Sequence, residues 1–132
     1  MPGARLKAFI IRRIALSLAT LAAVALFGAC HRPISDPARL QALEAAATAL
    51  RRTHPVDVLR HYREVPRRDW PAAVVALHPE RVVIHEWGVD ILVTAYLDGG
   101  WGYHIAAQRS DLPMAPGCYA QVSMGVFWHG PC

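Results

Sequence analysis

The chain has 132 residues, 54% of them hydrophobic and 18% charged, with three cysteines and a formal net charge of +4. One small domain fits these numbers; multi-domain enzymes, collagen-like repeats, coiled-coil rods and wholly disordered chains do not. Arg5, Lys7, Arg12 and Arg13 carry the excess charge with no acid before Asp36, and the ten later arginines are balanced by ten acids. A basic balance ordinarily invites a nucleic-acid reading through phosphate neutralisation. Here the excess sits in a leader, so no nucleic-acid partner is expected.

That leader has a basic start, a sixteen-residue apolar run from Ile14 to Ala29, and small residues ahead of Cys30, the three parts of an export signal. A membrane-spanning helix needs about 20 apolar residues, so cleavage is expected over permanent insertion, with an uncleaved anchor as the alternative. Arg12-Arg13 before the run is also compatible with twin-arginine export, although Ile14-Ala15-Leu16 matches that pattern indifferently.

Leu26-Phe27-Gly28-Ala29-Cys30 resembles the lipobox of bacterial lipoproteins, with Phe27 where that family usually has leucine. The resemblance covers the leader alone. It implies that residues 1–29 are removed, that the Cys30 thiol takes up a diacylglyceryl group, and that residues 30–34 form a lipidated tether. Several acyl chains bind a membrane far more firmly than the marginal single chain. His31 in place of an aspartate after the cysteine implies the outer membrane over the inner. The other reading is ordinary signal cleavage near Ala29, leaving Cys30 a free thiol.

Removing 29 of the 132 residues leaves 103, enough for one modest core. The expected fold of residues 35–132 is α+β: an amphipathic N-terminal helix and short helices packed on an antiparallel meander of about four strands. Asp36-Pro37 reads as a helix start. Leu40, Leu43, Ala47 and Leu50 then form one apolar stripe through Thr53. A short second helix is expected over Val56 to Tyr62, a polar connector over Arg63 to Arg68, and a further short helix starting at Asp69-Trp70-Pro71 and running through Ala72 to Leu77.

From Arg81 the period changes to two, which predicts strands over Arg81 to Glu86, Val89 to Leu97 and Trp101 to Gln108, with a fourth within Tyr119 to His129, broken near Met124-Gly125 before Val126-Phe127-Trp128 returns to the sheet. A two-residue turn at Trp87-Gly88 would pair Ile84 with Ile91 and Val82 with Val93. A three-residue turn at Asp98 to Gly100 would pair Val93 with Ile105 and Ala95 with Tyr103. Both place the apolar residues on one common face. Cys118 and Cys132, in an oxidising compartment, are expected to form a disulfide that pins the C-terminus.

The same register predicts three rows on the opposite face: His85, Asp90 and Gln108; Val83, Leu92 and Ala106; Arg81, Thr94 and His104. A histidine beside an aspartate can act as an oriented base, but neither Ser110 nor Ser123 lies in a nucleophile-elbow pattern, and no catalytic residue is assigned. The seven histidines show no close metal-ligand spacing, and the register would set His85 and His104 too far apart for one ion. They are read as surface residues, with no metal or other cofactor expected. Val83, Leu92, Ala106 and Tyr96 form an apolar band, and Trp87 sits at a turn. Together they are the candidate partner surface, unless the tail and short helix cover that face. The expectation is a non-enzymatic binding module of the cell envelope, held to the membrane through Cys30, facing the periplasm and meeting an envelope protein. The alternative is a small hydrolase using His85 and Asp90.

Overall fold

The computed structural model describes residues 31–132; the expected leader and the lipidation site at Cys30 lie outside the described residues. Pro33–Cys132 form one unit of α+β architecture, with one main helix on a six-stranded antiparallel sheet. Among the described residues no helix is long and apolar enough to cross a membrane.

Helix α1 spans Pro37–Thr53. The Asp36 carboxylate accepts the Ala38 N–H at 3.0 Å, satisfying one of the donors that every helix start leaves open, and Pro37 occupies a position whose N–H would be orphaned anyway. Leu40, Leu43, Ala46, Ala47 and Leu50 are its buried residues. They pack on Val82, Ile84, Val89, Ile91, Tyr103, Ile105 and Val126, the inward face of the sheet. The Tyr103 hydroxyl accepts the Ile34 N–H, which ties the entry to the helix onto the same face.

The strands are β1 (Tyr62–Glu64), β2 (Arg81–His85), β3 (Gly88–Tyr96), β4 (Gly99–Ala106), β5 (Tyr119–Ser123) and β6 (Val126–His129), in the spatial order β1-β2-β3-β4-β6-β5. A four-residue helix α2, Ala72–Val75, lies between β1 and β2, and Trp70 just before it donates its indole N–H to the Val65 carbonyl. The segment between β4 and β5 makes two short 3₁₀ turns, Arg109–Asp111 and Pro116–Cys118. There Leu112, Met114 and Cys118 pack with Ala106, Tyr119, Phe127 and Trp87. Arg109 fastens the segment by donating to the carbonyls of Pro116 and Tyr119, and the Cys118–Cys132 disulfide joins it to the C-terminus.

Three expectations about elements are corrected. The sheet has six strands, not about four: the fourth is fully split at the expected break, where Gly125 takes φ 71° and turns the chain between Ser123 and Val126, and Tyr62–Glu64 adds the sixth. The expected helix over Val56 to Tyr62 does not form. The Asp57 side chain accepts the N–H groups of Leu59 and Arg60, closing a local turn that competes with a helix. His61 then adopts φ 62°, and Tyr62 to Glu64, read as the end of that helix and the start of the connector, become the edge strand β1.

The third correction is register. The first hairpin turns at Glu86-Trp87, one residue early, so Ile84 pairs with Val89 and Val82 with Ile91. The second turns at Leu97-Asp98, pairing Val89 with Ile105 and Ile91 with Tyr103. The expected inward face survives up to Leu92 because the pairing shifts by two residues in the first hairpin and by four in the second, and an even shift preserves the side of the sheet. The rows across the sheet do not survive. A bulge between Leu92 and Thr94 moves Thr94 off the face it was expected to share with His104, since the extra residue of a bulge reverses alternation beyond it.

Candidate functional site

With the observed register, the outward face carries Val83, Asp90, His104 and Phe127 in one row and Arg81, Leu92, Gly102 and His129 in the next. Asp90 therefore stands directly opposite His104, and His129 sits diagonally beside both. Gly102, between Leu92 and His129, lies so close to β3 that a Cβ there would meet the Ile91 carbonyl oxygen at 2.2 Å.

Asp90 Oδ1 lies 3.3 Å from His104 Nε2 and 4.0 Å from His129 Nε2, and the three atoms all fall within 4.8 Å of one another. Both histidines are only 6% exposed. Asp90 Oδ1 and His129 Nε2 are buried atoms with no hydrogen-bond partner, an arrangement that burial makes costly. On its far side His104 Nδ1 is hydrogen-bonded to the Tyr119 hydroxyl at 2.9 Å, and that hydroxyl also accepts the Met114 N–H. Burial pushes the Tyr119 phenol above its ordinary range, aided by Asp90, so it stays protonated at neutral pH.

Burial and the neighbouring His104 lower the pKa of His129, against the opposing pull of Asp90 and the backbone of Gly130 and Gly100. His85 is also lowered, chiefly by burial. Trp87 stacks on His85 with ring centroids 4.9 Å apart and leans on His104 at 4.7 Å. It forms one wall of the cluster.

Asp90, His104 and His129 open onto a cleft of about 490 Å³, bordered by Arg81, Leu92, Met114, the Tyr96 to Gly100 turn and the C-terminal Gly130 to Cys132. Two imidazole nitrogens and a carboxylate oxygen, the donor types of transition-metal sites, thus converge beside a solvent-connected space.

The structure redistributes the expected site residues. His85 stands opposite Gly88, not Asp90, and Gln108 lies beyond the end of β4, so the row of His85, Asp90 and Gln108 does not form. His104 and His129 are interior residues, not surface ones. Of the candidate partner surface, Val83, Leu92 and Ala106 are buried, Tyr96 is exposed, and Trp87 is half-buried against two histidines. The loop after β4 covers part of the band. His129 was beyond sequence reasoning: it lies 39 positions from Asp90 and reaches it only because β6 inserts between β4 and β5. No family model, curated protein or solved structure matches this chain.

Proposed function

We propose that this chain is a lipid-anchored binding domain of the cell envelope, non-enzymatic, with the cleft over Asp90, His104 and His129 as its binding site. The observation that carries the binding reading is the buried, partly unsatisfied polar cluster opening onto the cleft. Such a concave site with a few convergent polar groups is the usual form of a ligand pocket. Its bordering residues include no serine, threonine or lysine, and their one cysteine, Cys132, is held in the disulfide. The nucleophilic-hydrolase reading finds no candidate nucleophile among those residues, and His85 stands opposite Gly88, not Asp90, in the register. The disulfide itself supports an oxidising compartment, in keeping with the leader.

Two measurements test this. Metabolic labelling with an alkyne fatty acid should mark the peptide beginning at Cys30, and Cys30→Ala should abolish the label and release the protein from the membrane fraction. Unlabelled full-length protein in the soluble cell interior overturns the anchor. Native mass spectrometry of the full-length chain, extracted in detergent without chelator, should show a bound adduct of defined mass. Gly99→Trp should reduce it: Gly99 borders the cleft, and a Cβ added there meets nothing within 4 Å. Absence of any adduct overturns the binding reading.

A further inference from the structure

We propose that Asp90, His104 and His129 form a three-ligand site for a divalent first-row transition cation, of which Zn²⁺ is the representative, with the remaining coordination positions facing the cleft. This rests on the reading of the cleft as a binding site and names the class of ligand it takes.

Two buried atoms here lack a partner, and a third faces them. Asp90 Oδ1 and His129 Nε2 have neither solvent nor a hydrogen-bond partner, and His104 Nε2 faces the same point at 3.3 Å from Oδ1 without an aligned bond. Protons on both nitrogens would let Oδ1 accept twice, but at 4.0 Å the His129 contact is too long for a hydrogen bond, so His129 Nε2 stays orphaned. A cation among them satisfies all three. The separations need to contract only modestly, since nitrogen and oxygen ligands each sit about 2.0–2.2 Å from zinc.

The surroundings have the form of an outer shell. A metal-bound imidazole characteristically commits its other nitrogen to a hydrogen bond that fixes tautomer and ring direction. His104 has such a partner in the Tyr119 hydroxyl at Nδ1; in the tautomer that donates Nδ1–H to the Tyr119 oxygen, Nε2 carries its lone pair toward Asp90. Tyr119 is in turn placed by the Met114 N–H. Trp87 packs against His104 from the side of His85, limiting rotation of the ring.

Donor chemistry sets the class. Two imidazoles and one carboxylate suit Zn²⁺, Cu²⁺, Ni²⁺ or Fe²⁺, whereas Ca²⁺ and Mg²⁺ require shells made of oxygen. Three protein ligands leave a position open, and here it meets the cleft that Arg81 borders, so water or a small anion can complete the shell.

The test uses the full-length chain in detergent, stripped with EDTA and titrated with Zn²⁺ by calorimetry and with Co²⁺ by visible absorption. One ion per chain is expected, with the visible bands of a low-coordinate cobalt site, undisturbed by millimolar Ca²⁺ or Mg²⁺. Asp90→Asn and His129→Gln should each lower affinity by about 100-fold or more, and Tyr119→Phe, which keeps the ring, by about 10- to 100-fold. His54→Ala, at a separate side-chain contact with Asp69, should leave uptake unchanged. Substoichiometric uptake, or uptake that persists in Asp90→Asn and Tyr119→Phe but is lost from His54→Ala, overturns the proposal. If Asp90→Asn fails to fold, the Co²⁺ spectrum of wild type against Tyr119→Phe decides alone. A purely organic adduct in the native mass spectrum, with no metal taken up, overturns the metal while leaving the cleft as a binding site.

Discussion

The two faces of the sheet solve opposite problems. The inward face meets α1 through aliphatic side chains and Tyr103, and its buried polar group, the tyrosine hydroxyl, is satisfied by Ile34. The outward face buries Val83, Leu92, Ala106 and Phe127 together with two histidines and an aspartate, and leaves two polar atoms unsatisfied. One face is built for stability alone. The other accepts a desolvation cost that packing does not require, and such costs collect where a site is being held ready.

That contrast can be broken at several points, taken from the largest effect down. Leu43, 1% exposed at the helix–sheet interface, should cost about 2–5 kcal/mol when changed to alanine, read as a lower urea midpoint. Replacing Cys118 and Cys132 by serine removes a covalent closure spanning 14 positions and should cost about 3 kcal/mol in the chain-entropy view. The effects should differ in kind. Leu43→Ala should lower global stability with the metal affinity of the folded protein retained, whereas the serine pair should also loosen the cleft border and weaken Zn²⁺ uptake. Asp36→Ala, which deletes the α1 cap, should cost about 1 kcal/mol and leave uptake alone.

The smallest effect is expected in acid, and it sharpens the comparison because it belongs to the outward face. His85 and His129 have folded-state pKa values below 6.5, so the unfolded chain binds protons first as pH falls. Their contribution to stability is therefore complete above about pH 6.5 and is lost as the pH drops through their lowered folded values. His129 faces His104, Asp90 and Tyr119, while Asp90, His104 and Arg81 act on His85. In EDTA, the urea midpoint should fall between pH 7.5 and pH 5.5, and His129→Gln should flatten that fall. A midpoint equally steep in the variant removes His129 as a source.

Local chemistry fixed more of this molecule than its size suggests. Asp36-Pro37 and the Leu40, Leu43, Ala47, Leu50 stripe determine where α1 starts and which side it buries, because capping and the 3.6-residue period act within a few positions. Alternation from Arg81 onward determines which side of most strand residues faces the helix, and the two late cysteines, paired in the structure, were read as a disulfide from their number and position. What alternation leaves undetermined is which residues become neighbours across the sheet. Turns at Glu86-Trp87 or Trp87-Gly88 bury the same side chains, so hydrophobic burial does not distinguish them, yet they exchange His85 for Val83 as the residue opposite Asp90. The bulge at Val93 and the insertion of β6 beside β4 were likewise decided only by the packing of the whole sheet. The cluster of Asp90, His104 and His129 depends on those decisions, which is why its three members carry no recognisable spacing along the chain.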